Sequence, residues 1–267
     1  SQIINDNTQD ELMFSVYYTY HNNVSYTIED VYEETFWVPS TAFNTWLNTS
    51  SSSWSTATNW SRGSVPVSSD NVGVYSYTGG TNASLSGTPT VSNFVLGSSS
   101  SITLSSEFTV NKNLFLESDM DLSGQNITLG SSALLIEDAG VLSGSTGSIT
   151  TIRNLNNIAE NVAGIGAEIT TSANMGSTVI TRTHAASSNP ESIERKYQIN
   201  PTTNTGLDAT LVFHYYDDEL NGQTEADLLL YKSTNNTNWV CQSSSTVNTS
   251  NNTITLTGID GFSYWTA

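Results

Sequence analysis

Apolar and polar residues alternate along this chain in short β-type runs, and those runs are separated by clusters of Ser, Gly, Asn and Asp from end to end. Helical periodicity is almost absent, so the pattern predicts an all-β protein. The most regular stretch is 91–152, which contains no Tyr and no Trp. It carries a series of apolar triplets: Phe94-Val-Leu96, Ile102-Thr-Leu104, Phe108-Thr-Val110, Leu114-Phe-Leu116, Met120-Asp-Leu122, Ile127-Thr-Leu129, Leu134-Leu-Ile136, Val141-Leu142 and Ile149-Thr-Thr151. Triplets centred on 95, 115 and 135 recur at a spacing of 20. A second row falls near 103, 121 and 142, and a third near 109, 128 and 150. Three short strands per repeat predict a three-sided parallel β-solenoid of three coils, whose coils share one continuous core because none buries its inward face alone. An antiparallel sandwich of short hairpins is the alternative. The solenoid is preferred because the rows stay in step.

After Arg153 the candidate strands lengthen. They are 167–171, 178–183, 195–199, 209–216, 227–232, 239–241 and 253–256. About seven strands in some 110 residues match an antiparallel β-sandwich. Upstream, Phe14 to Tyr20 and Ser25 to Ile28 flank His21-Asn22-Asn23 and read as a hairpin. The expected organisation is therefore 1–46 as a strand hairpin, a linker or the end of a preceding domain, 47–152 as a solenoid with a Trp-rich N-terminal cap, and 153–267 as a sandwich.

Charge narrows the partners. The chain holds 25 acidic against 7 basic residues, a formal net charge of −18. Such a surface repels phosphate backbones and anionic lipid, which argues against nucleic-acid binding. No apolar run is long enough for a membrane-spanning helix, so membrane insertion is not expected. Cys241 is the single cysteine, which excludes an intrachain disulfide and a cysteine zinc site. The Asn-x-Ser/Thr sequons at Asn23, Asn48, Asn59, Asn82 and Asn126 are what chance produces in a chain so rich in these residues.

Two stretches resemble known modules. Trp54-x4-Asn59-Trp60-x2-Gly63-x-Val65-Pro66-x3-Asp70-x-Val72, with Thr88-Pro-Thr-Val-Ser-Asn-Phe-Val-Leu96 after it, resembles the opening of β-helix segments in bacterial surface proteins; its tryptophans would plug the open end of the solenoid. Thr181-Arg-Thr-His184, Ser192-Ile193, Arg195-x-Tyr197-x-Ile199-x-Pro201, Tyr215-Tyr-Asp-Asp-Glu-Leu-Asn-Gly222 and Phe262-Ser-x-Trp265-Thr266 together resemble a β-sandwich of large proteins exported by Bacteroidetes, often by the type nine secretion route. The resemblance implies an extracellular or cell-surface adhesin-like protein whose partners are its own neighbouring domains and surface glycans. It brings no catalytic residue with it.

Candidate chemistry is sparse. A polysaccharide lyase on a β-helix needs Arg or Lys beside bound calcium, and only Lys112 lies within 91–152. Acidic pairs such as Asp119 with Asp121 or Glu137 with Asp138 match glycosidase carboxylates by type alone. His21, His184 and His214 sit in unrelated contexts. The metal candidate is the acidic loop Asp217, Asp218, Glu219, Asn221, Glu225 and Asp227, rich in oxygen donors for Ca2+ around Asn221-Gly222. The twelfth position counted from Asp217 is Leu228, not Glu, so the loop is not an EF-hand, and a plain acidic strand connection is the competing reading. Tyr17, Tyr18, Tyr20, Tyr26, Tyr32, Tyr215 and Tyr216 are available for stacking on sugars, although core packing is the commoner use of sheet tyrosines. The sequence points to a non-catalytic structural or adhesion module acting as a rigid stalk or spacer. The alternative is a carbohydrate-binding module attached to a secreted glycan-degrading enzyme.

Overall fold

A computed structural model describes residues 11–17, 33–39, 43–47, 52–75, 83–187 and 191–267. The chain divides into two compact units, Ser1–Asn44 and Thr45–Ala267. In the first, Glu11–Tyr17 pairs antiparallel with Glu33–Pro39, Phe14 lying opposite Phe36. The partner expected from sequence, residues 25–28, lies outside the described residues, as does the His21-Asn22-Asn23 turn.

The second unit opens with a parallel three-walled solenoid of about four turns. Its first wall stacks Asn71–Val74, Asn93–Leu96, Asn113–Leu116 and Leu134–Glu137 in parallel. The second wall pairs Ala83–Leu85 with Ile102–Leu104 and Met120–Asp121 with Leu142–Ser143. The third stacks Thr90–Val91, Phe108–Val110, Asn126–Leu129 and the start of Ser148–Asn161. The triplets thus form strands in the expected rows. One further coil precedes them, made of 71–74, 83–85 and 90–91. It escaped the sequence reading because Gly73 and the polar run after it break the apolar triplet pattern.

Register within the first wall differs from the spacing-of-20 reading by one residue. Phe115 pairs with Val95 as expected, but with Ile136 rather than Leu135. A one-residue shift exchanges the two faces of a strand. Leu134 and Ile136 consequently face out, 46% and 38% exposed, and Leu135 joins Val72, Phe94 and Leu114 in the buried column. Glu137 then occupies the column that Val74, Leu96 and Leu116 fill in earlier coils. A carboxylate at that position demands a partner.

The N-terminal end of the solenoid is closed by tryptophans, as the sequence suggested. Trp46, Trp54 and Trp60 are buried. Trp54 meets Trp60 edge-on at 4.6 Å and lies 6.4 Å from Phe94 and 6.3 Å from Phe108, so the aromatic rings cover the first coils. The Trp60 indole N–H donates to the Trp54 carbonyl at 2.8 Å, which fixes the pair. Coils stack closely enough that a side chain on Gly140 would run into the Ser118 backbone of the coil before.

The antiparallel sandwich follows without a linker. Ser148–Asn161 is one strand: its first residues pair parallel with Asn126–Leu129, and its full length pairs antiparallel with Ala167–Thr183. The sequence-derived division between 152 and 153 falls inside it. Residues 167–171 and 178–183, expected as two strands, form one, because the Ser/Gly-rich break at 172–177 is a bend with Gly176 at φ 68°. Register shifts around Asn156 sit opposite that bend. Bulges of this kind let one strand serve two layers. Past the bend, 178–183 pairs with Lys196–Pro201, and before it, 167–170 pairs with Ala209–His214. Tyr197 and Phe213 meet edge-to-face across the layers at 4.8 Å.

Candidate functional site

The densest chemistry in the described residues is an ionic junction where the last coil meets the sandwich. Ile180 and Arg182 alternate with outward residues on Ala167–Thr183, so both point inward and both are fully buried. Arg182 donates to both carboxylate oxygens of Glu137, at 2.6 and 2.8 Å. Two further donors complete Glu137: the Leu142 backbone N–H at 2.8 Å and the Tyr216 hydroxyl at 3.0 Å. Burial opposes ionisation of this carboxyl, but the Arg182 charge and its hydrogen bonds win and hold the pKa below the usual range.

Arg182 Nε–H donates to His184 Nε2 at 3.1 Å, and His184 Nδ1 lies 2.9 Å from Glu219 Oε1. Accepting at Nε2 leaves the proton on Nδ1, so His184 is neutral and donates to Glu219. Burial lowers its pKa, and the two arginines add to that, against the pull of Glu219. Glu219 also accepts from Arg195 Nε and Nη2 at 3.0 and 2.8 Å, and from the Tyr216 backbone N–H at 2.9 Å. Burial raises its pKa, yet the His184 hydrogen bond and the arginine charges bring it down to about 2. Arg195 spends Nη1 on the His214 carbonyl and Tyr197 hydroxyl, and its guanidinium lies 4.7 Å from the Tyr216 ring centre. Two guanidiniums face two carboxylates, so the junction is charge-balanced, which is the condition for burying ions at all.

The turn of the long hairpin completes the seal. Val162, Ala163 and Ile165 are buried, and a side chain on Gly164 (φ 72°) would strike the Leu135 carbonyl of the last coil. Arg153 anchors the same edge by donating to the Gly130 carbonyl at 2.6 Å and to the Ala133 carbonyl.

Above the junction lies a cavity of about 340 Å³, lined among others by Glu137, Asn161, Tyr216, Asn251 and Asn252. Both carboxylates of the junction, its histidine and its two arginines are hydrogen-bonded to protein groups.

The predicted metal loop is distributed otherwise. Asp217–Glu219 and Glu225–Asp227 are short 3-10 turns. Glu219 turns into the ionic junction, and Glu225 accepts from the Tyr215 hydroxyl at 2.8 Å. Asp217 accepts from Asn252 Nδ2, and Asn221, at φ 50°, donates to the Ser192 carbonyl. Asp218 and Asp227 are exposed. Among the described residues no group of three or more His, Cys, Asp or Glu is placed to hold a metal ion. Of the six, Glu219 is paired with Arg195. Tyr215 is buried and Tyr216 half-buried, while Tyr17, Tyr18, Tyr20, Tyr26 and Tyr32 have side chains outside the described residues. Cys241 is exposed.

Arg182, His184, Arg195 and Tyr197 all stand in the second motif without a site role of their own, whereas Glu219 was expected as a metal ligand and Tyr216 as a sugar-stacking residue. The usable signal was present: two of only seven basic residues, Arg182 and Arg195, fall in phase with the apolar positions of the candidate strands 178–183 and 195–199. Glu137 was expected only as half of an acidic pair with Asp138, and its inward placement follows from the one-residue shift in register. Compared with known proteins, the chain matches no family model, no curated protein and no solved structure.

Proposed function

We propose that this chain is a non-catalytic structural and adhesion module of a secreted or cell-surface bacterial protein, holding neighbouring domains at a fixed spacing and orientation. The observation that supports the reading is the shared strand Ser148–Asn161, which continues the third solenoid wall into the sandwich sheet. Bending at this point means breaking ladder hydrogen bonds on both sides and exposing the buried Arg182–Glu137 pair. A hinge, by contrast, needs a few free backbone residues to absorb the dihedral change. The acidic surface keeps such a Ser/Thr/Asn-rich rod soluble and unattracted to nucleic acid. A carbohydrate-binding role draws on one specific feature, the polar cavity beside Tyr216.

The exposed Cys241 on the sandwich supplies one labelling site and Thr103→Cys on the outer face of the solenoid a second. Spin labels on the pair should give a single narrow distance distribution by pulsed electron resonance. A broad or two-peaked distribution would sink the spacer reading.

A further inference from the structure

We infer that the cavity between the last solenoid coil and the sandwich receives the end of a neutral saccharide. The floor carries charged groups, but they are buried and already paired with one another. Glu137 takes four donors on its two oxygens, from Arg182 twice, Leu142 and Tyr216. Arg195 is held by Glu219, the His214 carbonyl and the Tyr197 hydroxyl. Arg195 is fully buried with four of its five N–H groups bonded, and His214, which also lines the cavity, faces Glu168 at 3.2 Å, while the chain's charge of −18 adds a repulsion against uronates and sialylated sugars.

What remains open is amide and hydroxyl chemistry on fixed backbone. Asn161 Oδ1 accepts from the Gly166 N–H at 2.8 Å, which fixes the side chain and leaves its NH2 to donate. Asn252 Nδ2 donates to Asp217 at 2.8 Å, leaving its carbonyl oxygen to accept. The Asn252 backbone is itself pinned at φ 51°, with its carbonyl accepting from the Tyr215 N–H at 3.0 Å. Asn251, exposed between them and Ser250, keeps its whole side-chain amide. Paired donors and acceptors of this kind match the vicinal hydroxyls of a sugar, each hydroxyl being both donor and acceptor. The half-buried Tyr216 ring, which lines the cavity and has Arg195 over one face, adds an apolar edge for the C–H groups of the sugar. At about 340 Å³ the space is at the small end of small-molecule sites, roughly 300–1,000 Å³, which suits a chain end rather than a long glycan strand.

The inference rests on the adhesive half of the function proposed above. The label-to-label distance tests the spacer half separately, so each can fail alone. The test titrates the 267-residue chain with methyl mannoside, galactose, N-acetylglucosamine and cellobiose, with glucuronate as the anionic comparator, by calorimetry and saturation-transfer NMR. Asn251→Ala removes one open amide on an exposed turn, and Asn251→Trp blocks the cavity from the same position. The expected result is saturable binding of at least one neutral sugar and none of glucuronate, weakened about tenfold by Asn251→Ala and abolished by Asn251→Trp, with the melting curve of both variants unchanged. The inference is overturned if no neutral sugar binds, if glucuronate binds as well as the neutral sugars, or if binding survives both substitutions.

Discussion

Replacing Arg182 with Met while keeping Glu137 leaves a carboxylate in a column built for leucine. Arg182 is fully buried and the Glu137 side chain is 6% exposed, so solvent cannot take over the lost contacts. Glu137 would retain the Leu142 N–H and the Tyr216 hydroxyl but lose both guanidinium bonds. Stranding one partner of such a pair costs about 3–5 kcal/mol. For a unit the size of 45–267, each kcal/mol moves the melting temperature by about 2–4 °C, so the variant should melt some 6–20 °C lower. Glu137→Leu alone should cost a similar amount through the stranded Arg182. Combining Arg182→Met with Glu137→Leu should recover much of the loss, because the column then reads apolar from Val74 to residue 137 and no charge is left unpaired. The assay is urea denaturation followed by tryptophan fluorescence and by far-UV circular dichroism, run on all four proteins. Additive losses in the double variant, or a single Arg182→Met loss under about 1 kcal/mol, would refute the claim that this pair holds the solenoid to the sandwich.

Stability should fall on acidification in two windows. The folded pKa of His184 lies below its ordinary 6.5, so the unfolded chain takes up the proton first and stability declines as pH drops below that value; His184→Gln should flatten this part of the curve of unfolding midpoint against pH. Glu219, depressed from 4.5 to about 2, contributes stability that is complete above its unfolded value and is lost between those two pH values. Trp54→Ala should destabilise the unit by about 3–5 kcal/mol, since the indole fills the closed end of the solenoid against Phe94, Phe108 and Trp60; an unfolding midpoint unchanged from the parent would contradict the cap. Because Glu219 and Glu225 are hydrogen-bonded to Arg195 and Tyr215, melting curves with calcium and with chelator should coincide; a chelator-induced drop would instead identify the acidic loop as a metal site.

Short-range periodicity decided a great deal here. The period-2 alternation of runs such as Ile102-Thr103-Leu104 and Ile127-Thr128-Leu129 sets which side chains face in, and the recurrence of three such runs sets the three walls. The cap was legible for the same reason: tryptophans in an otherwise polar segment have few places to go except over an open core. These are local properties, carried by neighbouring residues and by a repeat length close to constant.

Corners and pairings were beyond the reach of that logic. One extra residue between Leu116 and Leu134 shifts the last coil by one position, reverses its faces and brings Glu137 inward, and only the ladder pairing with the strand before it reveals the shift. Whether Ser/Gly residues at 172–177 end a strand or bend it depends on what pairs on either side, Lys196–Pro201 with one half and Ala209–His214 with the other. The acidic loop shows the same division. Its composition suits calcium, but the direction of each carboxylate is set by partners far away in sequence: His184 and Arg195 for Glu219, Asn252 for Asp217. Charge and periodicity are written along the chain, whereas the pairing of buried charges is settled by long-range contact, because a desolvated ion is tolerated only where folding delivers its counter-ion.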